Sequence, residues 1–331
     1  MREFLDKIVS GRGLSTPEAK ALALDMLDPE TPDAAIAGAL AALRTKGEDA
    51  SEIMGFVSAL MSKAKTISRD DAAASELRVD TCGTGGDGAG TFNISTAASL
   101  VCAALGLNVF KHGNRAASSK CGSADVMEAL GIGFHEPGGE LSPEKRFHFL
   151  FAPSYHPALK RLGPIRKALG IRTIFNLVGP LANPALPTHQ LVGVGARDKL
   201  HAVANALRSG GRSAYVVWGE PGLDEATQAG PFTLLEVTAD RVKERQMNAA
   251  EFGLGPCSLE DLKGGDAAQN ASIIEAIFKG ERGPRHDVVV LNTALVLMLT
   301  GRAKSPLEAA KIARDAILNG KAGGLLKSLQ K

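Results

Sequence analysis

A chain of 331 residues, 44% of them hydrophobic, can bury the core of one large domain or of two modest ones. Its formal net charge of +2, with 22% charged residues, gives no global attraction to nucleic acid or to a membrane surface, so an anion site must be local. Aromatics make up only 5%, with a single Trp, which argues against a surface for stacking bases.

Residues 1–66 read as helices only. Ser15-Thr16-Pro17-Glu18 is a helix start, with Ser15 as cap, Glu18 at capping-box spacing and Pro17 suited to the first turn. Thr31-Pro32-Asp33 repeats the device before a segment that places Ile36, Leu40 and Leu43 on one face and stops at Gly47. A further helix over 50–64 turns Ile53, Phe56, Val57 and Leu60 inward. Such a block is a small helical domain or a dimerisation surface. The polar, alanine-rich stretch 67–76, with Arg69-Asp70-Asp71, reads as a linker.

The next stretch carries the chemistry. A strand over 77–80 runs into Gly83, Gly85, Gly86, Gly88 and Gly90, then Asn93-Ile94-Ser95-Thr96 and an apolar helix over 97–105 that stops at Gly106. Strand, glycine loop, polar cap and helix turn backbone N–H groups and a helix N-terminus toward an anion. A second strand, 108–111, leads into Lys111-His112-Gly113-Asn114-Arg115, then Ser118, Ser119, Gly122 and Ser123, and a helix over 125–130. One turn is glycine-rich and acidic, the other basic and rich in hydroxyls. Together they point to a ligand with several phosphates plus a metal. The bland alternative, glycines that only make tight turns, would be preferred for a lone loop. Spacing alone does not name the ligand.

Beyond a loop at 131–143, the apolar run 147–153 leads to His156-Pro157 and a basic stretch through Lys160, Arg161, Arg166, Lys167 and Arg172, interrupted at Gly163-Pro164. Charge runs are usually solvated faces, and most of these cations are read so. The proline-punctuated segment 176–187 looks like a second crossing between domains. A strand over 189–194, a helix over 198–207 and a strand over 214–218 argue for a parallel sheet with right-handed crossovers. Gly222-Leu223-Asp224-Glu225 lies past the carboxyl end of that last strand, where ligands of open α/β sheets collect. Two adjacent carboxylates suit a hard cation such as Mg²⁺, although a bare Asp-Glu pair is more often a solvated acidic turn. Strands at 233–237 and 241–246 flank a hairpin turn and predict an antiparallel edge. Helices are expected over 259–262, 267–278, 288–299 and 306–318, with Ala271, Ile274 and Ile277 facing the core.

Cys82, Cys102, Cys121 and Cys257 form no CxxC or His/Cys metal spacing and fit buried thiols of a reducing compartment. Cys82 abuts the glycine loop without an evident activating base, so packing is its expected role. No basic-then-apolar leader is present, and the most apolar run, 288–299, is too short to span a bilayer and contains Asn292. The expectation is a soluble, cytoplasmic protein. No Ser-His-Asp or Cys-His constellation stands out.

The strings GTGGDGAGTFNIST and KHGNRAASSKCGSAD, with HPALKRLGPIRKALGIRTIFNLVGPLANP, GLDEAT and GDAAQNASIIEAIFKGERGPRHDVVVLN, resemble the anthranilate phosphoribosyltransferases. The resemblance covers nearly the whole chain, and the combination is specific where any single piece is weak. It implies a nucleoside phosphorylase/phosphoribosyltransferase-like fold: a small all-helical domain plus a larger α/β domain with a mostly parallel central sheet and an antiparallel edge. Residues 1–69, joined again by about 157–187, would form the helical domain. Residues 70–156 and 188–331 would form the domain that binds phosphoribosyl pyrophosphate.

The implied reaction moves the 5-phosphoribosyl group from phosphoribosyl pyrophosphate to the amine of anthranilate, in tryptophan biosynthesis. By the same resemblance Gly83, Gly86, Asp87, Thr91, Asn93, Ile94, Ser95, Thr96, Lys111, His112, Gly113, Asn114, Arg115, Ala116, Ala117, Ser118, Ser119 and Ser123 surround phosphoribosyl pyrophosphate. Ser95, Asp224 and Glu225 take Mg²⁺, two ions being expected. Lys111, Asn114 and Arg166 sit at the reacting centre, with Gly83, Asn114 and Arg166 facing anthranilate and His156 in its wall. Asp87 as a cap of its own loop, Ser119 as a helix cap and His156 as a surface or packing histidine remain open alternatives.

The family also implies a homodimer through the N-terminal helices, while charge and composition predict no nucleic-acid or membrane partner. It usually has His where Trp218 stands, a departure that touches packing near the next loop and no residue assigned to chemistry. Two rival readings are weighed. A pyrimidine nucleoside phosphorylase is disfavoured by the intact KHGNR turn together with Arg166. A nucleic-acid-binding relative is disfavoured by the intact GTGGD and GLDE and the near-neutral charge.

Overall fold

The computed structural model describes residues 1–67, 77–116, 120–142, 144–220 and 222–330. The linker expected around Arg69-Asp70-Asp71 therefore lies outside the described residues.

The chain opens with helices α1 (Arg2–Val9), α2 (Thr16–Leu27), α3 (Asp33–Lys46) and α4 (Ala50–Lys63). Their starts follow the sequence signals. Ser15 N donates to Glu18 Oε2 at 2.9 Å at the head of α2, and Asp49 accepts from Glu52 N at the head of α4. Gly47 ends α3 at φ 90°, a backbone conformation that residues with a Cβ rarely adopt. The inward stripes are buried: Ile36, Leu40 and Leu43 on α3, and Ile53, Phe56, Val57 and Leu60 on α4.

Then β1 (Arg78–Thr81), α5 (Ile94–Ala104), β2 (Asn108–Gly113), α6 (Ser123–Ala129) and β3 (Phe147–Phe151) alternate. Next come α7 (Ala152–Tyr155), α8 (Leu162–Leu169), α9 (Ile174–Val178), β4 (His189–Gly193), α10 (Leu200–Ser209) and β5 (Ser213–Gly219). A hairpin of β6 (Phe232–Val237) and β7 (Val242–Met247) follows, and then α11 (Ala267–Phe278), α12 (Pro284–Leu299), α13 (Pro306–Leu318) and α14 (Lys321–Leu329).

The described strands form one sheet in the order β3-β2-β1-β4-β5-β6-β7. β1 through β5 pair in parallel, and β6 and β7 are antiparallel, as the sequence patterns predict. Four details differ from the sequence reading. The apolar run 147–151 is the edge strand β3; α12 starts four residues before 288; α14 was not anticipated; and 260–262 is one short turn of 3-10 helix.

Alternate side chains along each strand serve different cores. Leu191, Val217 and Leu234 face a core made with α5, α6 and α11–α14. Val192, Val216 and Leu235 face a second core that includes α10, α8, α9 and all four N-terminal helices. The bundle therefore shares its interior with one face of the sheet. Segments α8 and α9 insert Leu162, Ile165, Ile174 and Phe175 into the same interior, where Phe175 meets Phe56 edge-on at 5.4 Å. Among the described residues no helix is long and apolar enough to cross a membrane.

Candidate active site

The sheet order reverses at β1, whose neighbours are β2 on one side and β4 on the other. In open α/β sheets a crevice forms at the carboxyl ends of strands at such a switch point. The glycine loop starts there. Cys82 N donates to Leu191 O at 3.2 Å and Thr84 N to Gly193 O at 2.8 Å, so the loop continues the ladder with β4 before it turns. Gly85, Gly86, Gly88 and Gly90 then all adopt positive φ, between 64° and 73°. Gly83 is glycine for a different reason: a Cβ there would lie 2.3 Å from Asp224 Oδ2.

Asp87 does act on its own loop, accepting from Ala89 N at 3.1 Å, while its other oxygen lies 3.5 Å from Asp224 N. At the head of α5, Ser95 N donates to Glu225 Oε1 at 3.2 Å. Asn93 Oδ1 accepts from Asn270 Nδ2 at 2.8 Å. Thr91 pairs with Lys263 as an isolated bridge, and Thr96 Oγ1 is buried without a partner among the described residues. Ile94 is packed in the core, leaving only its backbone to the cleft.

Lys111, on β2, is 2% exposed. Its ammonium donates to the Thr81 carbonyl and lies 3.4 Å from Ser95 Oγ, and among the described residues no carboxylate forms an ion pair with it. The charges of Asp80 and Glu225 reach it through space, but no carboxylate touches it, so a buried ammonium of this kind favours the arrival of an anion.

The acidic turn is folded back by reciprocal bonds between Gly219 and Leu223, at 2.9 and 2.7 Å. Asp224 Oδ2 accepts from Gly85 N at 2.7 Å, and a Cβ on Gly193 would overlap the Asp224 carbonyl at 1.5 Å. Both carboxylates are partly open to solvent yet walled by protein on most sides. That desolvation, and next the nearby Asp87 charge, push the Asp224 carboxyl well above its usual range. Desolvation, and next Asp224, do the same to Glu225. Among the described residues neither has a cationic ion-pair partner, and no set of three or more His, Cys, Asp or Glu is arranged to hold a metal. Two carboxylates with surplus negative charge fit Mg²⁺, which takes its other ligands from water and substrate phosphate.

The basic turn is more mixed. His112 is buried, with Nδ1 3.3 Å from Gly179 O and its ring edge-on to His156 at 5.4 Å; burial drives it down to about 3, so it is neutral. Asn114 Oδ1 accepts from Arg115 N at 2.8 Å. Arg115 is turned along α6, where it pairs with Asp125 at 3.0 Å and Glu128 at 2.6 Å, and Ala116 N also donates to Asp125. A Cβ on Gly113 would lie 2.3 Å from Ser123 Oγ, so glycine lets α6 start close against the turn. Ala117, Ser118 and Ser119 lie outside the described residues.

Arg166 projects from α8 with its guanidinium 5.6 Å from the Phe175 ring centre. Among the described residues no hydrogen bond or ion pair engages it, and burial lowers its pKa. Arg172, read from sequence as one of the solvated cations, instead donates to the Gly85 and Thr84 carbonyls and ties the crossing segment to the glycine loop. Asp80 was also passed over. Its buried carboxyl accepts from Asn183 Nδ2 at 2.8 Å and is pushed up to about 6 by burial. Cys82 is no nucleophile: burial first, then the charge of Asp80, raises its thiol to about 12.

A switch-point cleft with a glycine loop, a buried lysine and a carboxylate pair has the makings of a phosphate-binding enzyme site, and the chain's family makes it a transferase. Two models of the glycosyl transferase family agree: its a/b domain matches residues 75–323 and its helical bundle domain matches residues 2–64. Anthranilate phosphoribosyltransferases of Syntrophomonas wolfei and Moorella thermoacetica are each 43% identical over 99% of this chain, which spans 95% and 97% of their lengths. The crystal structure of anthranilate phosphoribosyltransferase from Thermus thermophilus superposes with a TM-score of 0.90 at 37% identity, covering 98% of this chain and 97% of that one. The Saccharomyces cerevisiae enzyme in complex with PRPP and Mg gives 0.89 at 27% identity, covering 99% and 96%. The chain belongs to the anthranilate phosphoribosyltransferase family.

Proposed function

We propose that this chain transfers the phosphoribosyl group of phosphoribosyl pyrophosphate to the amine of anthranilate through the cleft between β1, β4 and β5, with the following roles. The observation that carries the reading is the meeting of the glycine loop, Lys111 and the Asp224–Glu225 pair at one switch point. Backbone N–H groups of the glycine loop and the head of α5 hold the phosphates. Lys111 stabilises the negative charge that grows on the departing pyrophosphate. Asp224, Glu225 and Ser95 would hold Mg²⁺, two ions being the family expectation, and Mg²⁺ supplies Lewis-acid stabilisation of the same leaving group.

The nucleophile is an aromatic amine, neutral at physiological pH, so no strong base has to prepare it. That suits a site where burial keeps the thiol of Cys82 and the ring of His112 neutral. Arg166 grips the anthranilate carboxylate, a planar fork against a planar acceptor. The unpaired state of its guanidinium supports this role. Asn114 faces the amine from the basic turn.

In this reading the described residues within 1–69 and 157–187 make one lobe, and those within 70–156 and 188–331 the other. Water is kept from the ribosyl centre by their approach. The interior shared by α1–α4, α10 and β4–β6 favours a small shift of α8 and α9 over a swing of the whole bundle. A cytoplasmic homodimer completes the reading.

The test is anthranilate fluorescence in the presence of phosphoribosyl pyrophosphate, with and without Mg²⁺. Mg²⁺-dependent loss of fluorescence is expected. No loss with folded protein would overturn the assignment.

A further inference from the structure

We infer that Asn292 is a positioning residue for the carboxylate pair Asp224–Glu225, acting through the Ala226 peptide; the inference rests on the reading of that pair as the metal site. Helix α12 is buried continuously over 288–297, and Asn292, at its middle, is 0% exposed. An apolar side chain would suit that position on packing grounds. The amide is there with all of its main bonding capacity in use. Its Nδ2 donates to Ala226 O at 2.9 Å and to Val288 O at 2.9 Å, and its Oδ1 accepts from Ala226 N at 3.2 Å. The reversed amide would set a donor against the Ala226 N–H, so these partners fix the orientation.

Ala226 directly follows Glu225. A side chain that grips both polar groups of one residue fixes where the preceding backbone points. On its other side the turn is already confined, because Cβ atoms on Gly193 and Gly219 would lie 1.5 and 2.4 Å from the Asp224 and Glu225 carbonyls. Asn292 is therefore the polar tie that holds the turn from the helical layer, while glycines let β4 and β5 press against it. A second tie, Gln228 Nε2 to Pro284 O at 3.0 Å, fastens the same loop further from the carboxylates and serves as a control.

The experiment is a titration of Mn²⁺ followed by electron paramagnetic resonance, with phosphoribosyl pyrophosphate present and anthranilate absent. Native protein is compared with Asn292→Leu, Asn292→Asp and Gln228→Leu. Asn292→Leu keeps the volume and removes the grip, and its Mn²⁺ dissociation constant should rise about 10- to 100-fold, as for other groups that orient metal ligands. The anthranilate KM should stay as in the native protein, a split that general loosening of the core would not give. Gln228→Leu should leave the metal affinity unchanged. If Asn292→Leu does not fold, Asn292→Asp carries the test: it keeps the acceptor, loses both donors, and should weaken Mn²⁺ binding in the same direction. A folded Asn292 variant with native Mn²⁺ affinity overturns the inference. Failure of the native protein to bind Mn²⁺ overturns the metal reading itself, and the inference with it.

Discussion

The two walls of the cleft are built on opposite plans. On the sheet side, the glycine loop, the head of α5, the acidic turn and β4 are bonded directly to one another: Gly85 N to Asp224, Ser95 N to Glu225, Thr84 N to Gly193. On the side of the crossing segment, Arg166 lies against Phe175 with no hydrogen-bond partner among the described residues, and His156, bonded to the Ala182 carbonyl at 2.8 Å, meets His112 of β2 edge-on. A pre-bonded wall fixes geometry for charge that develops during reaction. An unbonded wall keeps its hydrogen-bonding capacity for a substrate. Under the proposed roles, organisation is built in where phosphate and metal charge would be held, and the arginine that would grip the acceptor is left open.

Removing the buried ammonium tests the sheet-side wall hardest. Lys111→Met should lower kcat about 100- to 1,000-fold, the usual loss when one preorganised stabiliser of developing charge is deleted. The anthranilate KM should barely move. Steady-state kinetics with each substrate varied reads both numbers. On the other wall Arg166→Ala should raise the anthranilate KM about 10- to 100-fold, the equivalent of about 1.5–3 kcal/mol for bonds to a charged group, with kcat much less affected. Arg166→Lys should recover only part of this, because a point charge cannot make the paired contact.

A smaller effect is expected from Arg172→Ala, which leaves both walls in place and cuts the tie between them. Losing its bonds to the Thr84 and Gly85 carbonyls should raise the KM for phosphoribosyl pyrophosphate about five-fold, for about 1 kcal/mol. An unchanged KM would show that the glycine loop holds its shape without the crossing segment.

The smallest effect is on stability against pH. Burial holds His112 down to about 3 and His148 down to about 4, and His156 also below its usual range. A folded pKa below the unfolded value means that the unfolded chain takes up protons first as pH falls. The stability these groups lend is present above about 6.5 and is lost as pH drops below it toward their folded values. Asp80, raised to about 6, has the opposite sign, gaining as pH falls through 6. Asp224 and Glu225, also raised by burial, share the sign of Asp80, so the histidine contribution is read by difference: His148→Gln should lose less melting temperature than the native protein between pH 7 and pH 5.5, measured by circular dichroism. An equal loss in the two proteins would contradict a neutral, buried His148.

The sheet-side wall was the legible one. Its glycines, Ser95 and Lys111 lie within thirty residues of one another, and local pattern places them on two strand-to-helix turns. The hairpin β6–β7 and the capped helices were legible for the same local reason. Arg172 was not, because what gives it a role is a pair of backbone carbonyls 87 and 88 residues away, whose availability depends on glycines lacking side chains. Asn270 and Asn292 were hidden in helices whose patterns explain burial and say nothing of a polar partner 177 or 66 residues distant. β3 was hidden by its own composition: four of its five residues are buried, so the strand shows no alternation to separate it from other apolar runs.

The division of labour between the walls is tested most directly by calorimetric titration of phosphoribosyl pyrophosphate with Mg²⁺ into native protein and into Arg166→Ala, without anthranilate. The account predicts equal affinities, since the phosphate and metal wall is complete without the crossing segment's arginine. A loss in Arg166→Ala as large as its loss of anthranilate affinity would contradict it, and would mean that the two walls form one site that assembles only together.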